Sequence, residues 1–229
     1  MNNLITMREL KAMSGREQTI WLEENCQVNA ISLNSRKLVQ GVGVNDSHYI
    51  AQPKIDGKVV MCPSYRTWNG MLTRCYCKKY HAIHPTYTGS AACDEWLAFS
   101  NFREWWMEHQ VDGWELDKDI LSCGGKLYSP ITCIFVPGWL NRFTSDHGAG
   151  RGEWPIGACY HKRDGKYQSN CKNPISGKVE HLGLFDTPEE AHLAWRARKL
   201  ELALELKPKM DSIDMRIYPR IIEIINNAK

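Results

Sequence analysis

Two acidic residues and one asparagine stand in a pattern that can hold a metal ion. Asp117 and Asp119 lie in one predicted strand, and Asn141 lies in a short helix predicted after Pro137. An acid on a strand and an amide on a following helix supply the oxygen ligands that hard divalent cations prefer. The segment therefore predicts a site for one Mg²⁺ or Mn²⁺ ion, with Asp117 and Asn141 as metal ligands.

Two strands and a helix must position these residues. The sequence predicts a strand over 114–121, a glycine-containing turn over 123–126 and a second strand over 131–136, followed by the helix. Upstream, the helical spacing of Phe99, Phe102 and Trp106 predicts a helix with an aromatic face. We expect that face to be core and to back the two strands.

Short motifs surround this unit over 38–143. They are Val42-Gly43-Val44-Asn45-Asp46, Tyr65-Arg66-Thr67-Trp68, Arg74-Cys75-Tyr76, Cys93-Asp94-Glu95-Trp96-Leu97, Leu116-Asp117-Lys118-Asp119, Tyr128-Ser129-Pro130, Thr132-Cys133 and Phe135-Val136-Pro137. As a set they resemble phage-type HNH homing endonucleases. The resemblance implies a ββα-metal core and cleavage of DNA phosphodiesters with one divalent metal.

Two positions depart from that family's pattern. Lys118 stands where the family has its histidine base, and Thr132 stands where an asparagine often opens the second strand. A lysine is almost wholly protonated at neutral pH, so using its rare neutral form as a base would cost about 4–5 kcal/mol. Asp119 could serve as second ligand or base, His147 could supply the base, or Lys118 could stabilise the phosphate by its charge. The predicted catalytic residues are Lys118, Asp119 and Thr132.

The C-terminal part of the chain has a different pattern. Short strands are predicted over 157–160, 166–172 and 179–184, joined by Arg163-Asp164-Gly165 and by residues 173–177. Along the middle strand, alternation places Gln168, Asn170 and Lys172 on one face. That polar face can offer amides to adenine edges and ammonium groups to phosphates or guanine. The residues predicted to contact DNA are His161, Arg163, Lys166, Gln168, Asn170, Lys172, Lys178 and His181.

A helix follows these strands. Thr187 is its predicted N-cap, Pro188 its first residue, and Glu190 completes a capping box. We expect the helix to end near Leu206, before Lys207-Pro208. The residues predicted to pack on the sheet are Leu193, Ala194, Ala197 and Leu200.

This second module also carries a family resemblance. Its motifs are Gly157, Gly165-Lys166-Tyr167, His181-Leu182-Gly183, Phe185-Asp186-Thr187, Glu189-Glu190-Ala191 and Ala194-Trp195. They resemble APETALA-type (ethylene-response-factor) DNA-binding domains, which implies a three-stranded sheet in the major groove with a helix behind it. Phage homing endonucleases often join the two modules, which implies double-stranded DNA as the partner.

The predicted fold class is α+β, with a ββα-metal core, a helical flank and a small three-stranded antiparallel sheet packed on one helix. The predicted divisions are an N-terminal helical appendage (1–36), an HNH-like domain (37–145), a linker (146–155), an APETALA-type domain (156–206) and a C-terminal helical segment (207–229). Proline 219 interrupts the last segment, whose isoleucine-rich face is expected to pack on the body or on a second copy as a homodimer.

Composition limits the remaining possibilities. The chain of 229 residues is 43% hydrophobic and 24% charged with a net charge of +3, which is ordinary for a folded protein without a membrane span. The nine cysteines form no regular framework, and no export leader is visible, so we expect reduced thiols in the cytoplasm, that of a host bacterium if a phage encodes the chain. The candidate zinc ligands lack the paired C-x-x-C of structural zinc sites, which favours idle thiols over zinc. These candidates are Cys75, Cys77, Cys93, His81 and His84.

Two functional classes therefore stay open. One is a metal-dependent DNA endonuclease that nicks or cuts at sites chosen by the C-terminal sheet. The other is an inactive relative that binds specific DNA sequences, for example as a transcriptional repressor. Asp117 and Asn141 favour the first class, whereas Lys118 and Thr132 favour the second.

Overall fold

The computed structural model describes residues 5–144 and 153–228 and has an α+β fold with several small sheets. It divides into two compact units. The first contains Met1–Lys118 and Gly125–Phe135, and the second contains Asp119–Gly124 and Val136–Lys229. The division falls within the segment predicted as one HNH-like domain. Most of the predicted linker, like His147, lies outside the described residues.

The first unit is mainly helical. Its elements in chain order are α1 (Met7–Ala12), α2 (Gly15–Asn25), α3 (Ala30–Asn34), β1 (Lys54–Ile55), β2 (Lys58–Val59), α4 (Pro63–Tyr76), α5 (Lys78–Ile83), β3 (Ala91–Ala92), α6 (Phe99–His109), β4 (Trp114–Asp117), β5 (Leu127–Tyr128) and the start of β6 (Ile134–Pro137), with short 3₁₀ turns at Pro85–Tyr87 and Asp94–Leu97. Ser14 caps α2 through a capping box with Glu17, so α1 and α2 are separate helices.

Aromatic side chains form the core of the first unit. Five large aromatic side chains are almost fully buried: Trp68, Trp96, Phe99, Phe102 and Trp106. The last three lie on α6, which confirms that the aromatic face of this helix is core. The indole of Trp68 donates a hydrogen bond to the Trp96 carbonyl oxygen over 2.7 Å, so its polar atom is satisfied inside the core.

The strands predicted around Asp117 and Thr132 are only partly correct. The first strand ends at Asp117, and Asp119–Ser122 forms a single helical turn, α7. A helical turn allows the consecutive residues Ile120 and Leu121 both to be buried, whereas a strand would point them to opposite faces. The second strand, β6, begins three residues late, at Ile134, and it pairs with β4. Helix α8 (Gly138–Thr144) follows at once.

The remaining pairings of the first unit are short. Residues 38–44 form a tight turn closed by a bridge between Val39 and Gly43, and Gln40 and Gly41 both have positive φ. Strand β5 pairs in parallel with β3. A turn at Ile55-Asp56-Gly57 joins β1 to β2.

The second unit contains a three-stranded antiparallel sheet. Strands β7 (Ala158–His161), β8 (Lys166–Lys172) and β9 (Val179–Phe185) pair in chain order. Helix α9 (Pro188–Asp211) packs on one face of this sheet, and helix α10 (Ile217–Asn227) packs on α9. The predicted strands and the capping box of Thr187 with Glu190 are confirmed.

Helix α9 differs from its prediction in its buried face and in its end. Leu193 is 50% exposed, and the buried side chains are instead Ala191, Trp195, Lys199, Leu202, Ala203, Leu206 and Met210. The helix continues past Pro208 to Asp211, since a proline in the last turn removes only one backbone bond and burial of Met210 favours continuation.

A lysine on this buried face is stabilised by aromatic rings. The Lys199 ammonium lies 3.9 Å from the centroid of Phe143, and burial lowers the pKa of Lys199 to about 8. A cation close to a ring face keeps part of the interaction that it loses with water. A position that reads as polar in the sequence is therefore part of the interior.

In α10, the isoleucines Ile217, Ile221 and Ile225 are buried within the chain itself. Pro219 lies in the first turn of this helix, where no backbone bond is lost. The homodimer through this segment stays a prediction. None of the described helices combines the length and apolar character needed to cross a membrane.

A close contact between Trp195 on α9 and Gly157, the residue before β7, can be tested. Gly157 has a φ of +86°, and a Cβ there would overlap the Trp195 side chain. We expect Gly157→Ala to lower the free energy of unfolding by about 2–4 kcal/mol, because strain and overpacking add. Gly177→Ala is the matched control, with a φ of +71° but open space around it; we expect it to cost about 1 kcal/mol. Equal urea-denaturation midpoints for Gly157→Ala and Gly177→Ala would contradict this packing.

Candidate nucleic-acid interface

The two faces of β8 have different environments. Ser169 and Cys171 are fully buried beneath α9, and the Ser169 hydroxyl donates to the Ala191 carbonyl oxygen over 2.7 Å. Gln168, Asn170 and Lys172 alternate with them and point to the opposite, outer face. The alternation predicted for this strand is therefore confirmed.

A bulge in β9 sets which residues share that outer face. Ser169 lies opposite Gly183 and Asn170 lies opposite His181, so Leu182 is an extra residue in β9. Gly183 has a φ of +136°, a conformation that L side chains rarely adopt. Because of this bulge, His181 and Leu184 both lie on the outer face.

Three polar side chains form a cluster at the centre of the outer face. The Gln168 amide nitrogen lies 3.2 Å from Asn170 Oδ1 and 3.1 Å from His181 Nδ1. His181 Nδ1 lies 3.4 Å from Asn170 Oδ1. The sheet thus brings together three of the predicted DNA-contacting residues, and their mutual contacts restrict their rotamers before any ligand arrives.

Cationic side chains surround this cluster. Lys166 pairs with Asp186 at 3.0 Å, and the Lys172 ammonium donates to the Gly177 carbonyl oxygen. Lys178 is exposed just before β9. Lys172 and Lys166 lie at opposite ends of β8, so positive charge borders the polar cluster at both ends.

The β7–β8 turn adds two further predicted residues. The Arg163 side chain is 84% exposed, with its Nε 3.1 Å from Asp164 Oδ1. His161 Nδ1 lies 3.2 Å from the second carboxylate oxygen of Asp164. Asp164 therefore lies close to both side chains at the edge of the outer face.

The acidic residue of β9 lies on the helix side of the sheet. The pKa of Glu180 is lowered to about 2, because Arg198 and then Asn173 donate hydrogen bonds to its carboxylate. Arg198 also contacts Glu201 and Glu205 on α9. The negative charge of Glu180 is therefore balanced away from the outer face.

The residues predicted for nuclease chemistry are distributed over both units. Asp117 ends β4 in the first unit and is buried, whereas Asn141 lies in α8 of the second unit. Asp119 was predicted to lie in the same strand as Asp117, but it begins the helical turn α7 instead. A carboxylate and an amide are a suitable partial ligand set for Mg²⁺ or Mn²⁺, and their joint role stays a prediction.

Lys118 has a defined place inside the first unit. Its side chain is 4% exposed, its ammonium donates to the Gly125 carbonyl oxygen over 3.1 Å, and it lies 5.6 Å from the ring centroid of Tyr128. This hydrogen bond ties the end of the side chain to the backbone of the first unit. This environment favours a structural role for Lys118 over a role as base.

Thr132 makes a turn before β6. Its hydroxyl accepts a hydrogen bond from the Ser129 amide over 3.0 Å and donates to the Leu127 carbonyl oxygen over 2.7 Å. These bonds stabilise local backbone, as short hydroxyl side chains commonly do in turns. They explain a threonine at this position without any catalytic role.

Two of the zinc candidates have other surroundings. Burial raises the pKa of the Cys75 thiol to about 12, and His81 Nε2 is 2.7 Å from the Arg74 carbonyl oxygen. Within residues 5–144 and 153–228, no three His, Cys, Asp or Glu side chains are grouped so that they could hold a metal ion.

Sequence reasoning missed the apolar part of the outer face. Val179 lies directly across from Lys172, and Leu184 lies directly across from Gln168. The side chains are 62% and 39% exposed. Two-residue alternation along β9 places Val179 on the same face as His181, so the sequence could have indicated Val179. Leu184 lies on that face only because of the bulge.

Comparisons with known proteins add no relative. No family model, no curated protein and no solved structure matches the chain. The case for this interface therefore depends on its own geometry and charge.

The Glu180–Arg198 pair predicts a pH dependence of stability. Because the pKa of Glu180 is lower in the folded protein than in the unfolded chain, its contribution is complete above about pH 4.5 and is lost as the pH falls towards 2. We expect Glu180→Gln to reduce the loss of thermal stability in that window. Glu189→Gln, which removes an exposed carboxylate from the same unit, is the control; parallel curves for Glu180→Gln and wild type would refute the assignment.

Proposed function

We propose that the chain binds double-stranded DNA through the outer face of the β7–β9 sheet. The observation that carries the proposal is the Gln168–Asn170–His181 cluster, held on one face while α9 covers the other. Amide and imidazole groups placed in this way can hydrogen-bond to base edges. A sheet face that is polar and internally ordered is suited to reading bases.

The dimensions and charges of the sheet support the same proposal. Three strands about 4.8 Å apart span roughly 10 Å of backbone, which suits a major groove about 12 Å wide. Four cationic side chains lie along the borders of the face, where phosphates flank a groove. They are Arg163, Lys166, Lys172 and Lys178. The deep, narrow major groove of A-form RNA would exclude such a sheet.

Metal-dependent cleavage of DNA is the second candidate function. It is favoured by the order of β4, its partner β6 and α8, with Asp117 at the end of β4 and Asn141 in α8. The sequence predicts these two residues as ligands of one Mg²⁺ or Mn²⁺ ion, and that ion would neutralise charge at the scissile phosphate. Because Lys118 is buried within the first unit, we expect another residue to supply the base.

DNA binding has a direct test in full-length protein. We expect Lys172→Ala to weaken binding to a mixed pool of duplex fragments and to reduce the slope of log K against log salt by about 1, because one phosphate contact is lost. Fluorescence anisotropy at several salt concentrations measures both. Lys209→Ala, on the exposed end of α9, is the matched control; equal effects of the two substitutions would remove Lys172 from the interface.

Cleavage is tested separately. We expect Asn141→Ala and Asp117→Ala to abolish nicking of supercoiled DNA with Mg²⁺ or Mn²⁺, while binding in the presence of chelator is unchanged. Asn141 is the more informative variant because Asp117 is buried and its loss could unfold the first unit; circular dichroism checks this. If wild-type protein leaves DNA intact with either metal, the second candidate is eliminated and the first stands.

A further inference from the structure

The outer face of the sheet has a composition that selects among base pairs. The side chains on the outward side of the three strands are Cys159, His161, Lys166, Gln168, Asn170, Lys172, Val179, His181 and Leu184. The segments Ala158–His161, Lys166–Lys172 and Val179–Phe185 contain no arginine. Arginine paired with guanine O6 and N7 is the commonest specific contact in the major groove, so its absence from these strands argues against guanine.

The lysines do not replace arginine at the centre of the face. The Lys166 ammonium is paired with Asp186, and that of Lys172 is bonded to the Gly177 carbonyl oxygen. Arg163 lies in the β7–β8 turn beside Asp164. These cations are tied to the borders of the sheet, where they can reach phosphates more readily than bases.

The two central amides match adenine. Gln168 donates from its nitrogen to Asn170 Oδ1 and to His181 Nδ1. Among the described residues, no hydrogen bond involves Gln168 Oε1 or Asn170 Nδ2, so the pair offers one acceptor oxygen and one donor nitrogen. Adenine presents the complementary set in the major groove, an N6 amino donor and an N7 acceptor.

Apolar side chains lie beside these amides. Leu184 is directly across from Gln168, and Val179 is directly across from Lys172 and next to the Asn170–His181 pair. They are 39% and 62% exposed. Thymine is the base whose C5 methyl group gives an apolar contact in the major groove, next to the adenine of its own or a neighbouring pair.

We infer that the sheet recognises A·T base pairs through the major groove, with Gln168 and Asn170 at adenine and Leu184 and Val179 at thymine methyl groups. This inference rests on the proposed binding of double-stranded DNA. It assigns to that interface a base preference and the residues that set it.

The test begins with selection of duplexes from a random pool by full-length protein. We expect the bound duplexes to be enriched in A·T pairs at defined positions. In the best duplex, replacing adenine by 7-deazaadenine at those positions removes N7 and should weaken binding about tenfold. Replacing thymine by uracil removes one methyl group per base and should weaken it about fourfold per contacted methyl.

Variants assign the contacts to residues. Leu184→Ala and Val179→Ala should bind the thymine and uracil duplexes with nearly equal affinity, and Asn170→Ala should lose discrimination between adenine and 7-deazaadenine. Leu204→Ala, an exposed leucine on α9, should retain both preferences.

The outcomes separate this inference from the function on which it rests. Binding with enrichment of G·C pairs, or without any preference, would overturn the inference and leave DNA binding intact. Enrichment of A·T pairs that is unaffected by 7-deazaadenine and uracil would show reading through the minor groove and would also overturn it. Failure to bind any duplex would reject the proposed function itself.

Discussion

The packing of α9 on one face of the β7–β9 sheet is the constraint on which the candidate interface depends. Trp195 lies against Gly157, and the Ser169 hydroxyl is bonded to the Ala191 carbonyl oxygen, so that face is both filled and hydrogen-bonded. A strand has only two faces. Once Ser169 and Cys171 are fixed inward, Gln168, Asn170 and Lys172 must face outward, and no change of register can move them without exposing the core.

The same packing explains how charge is distributed over the second unit. Glu180 faces α9, and its carboxylate accepts hydrogen bonds from Arg198 on that helix and from Asn173 after β8, while the lysines of β8 face outward. Arg198 in turn is shared with Glu201 and Glu205. The charge of Glu180 is therefore neutralised on the helix side, while the lysines of β8 lie on the outer face, which suits a polyanion on that face.

Local signals in the sequence predicted local structure well. The capping box at Thr187 and the alternation along β8 each depend on residues that lie a few positions apart, so their patterns are complete within the sequence. The outer polar residues of β8 follow directly from that alternation. This is why the amide cluster could be anticipated before the fold was known.

Features set by distant packing could not be predicted in the same way. The buried face of α9 runs through Lys199, which is tolerated because Phe143 lies under its ammonium, and this contact joins positions far apart in the chain. The bulge at Leu182 depends on pairing with Ser169 and Asn170. Leu184, which the bulge places on the outer face, was therefore missed, and so was the apolar part of the site.

Lys118 shows how burial changes the meaning of a residue that departs from a family pattern. As a letter in the sequence it suggests a weakened catalytic base. In the fold, its ammonium is bonded to the Gly125 carbonyl oxygen beside the Tyr128 ring. A cation held in this way contributes to the first unit whether or not DNA is cut. Cleavage and DNA recognition are therefore separate questions, and the recognition surface of the second unit does not depend on Lys118 as a base.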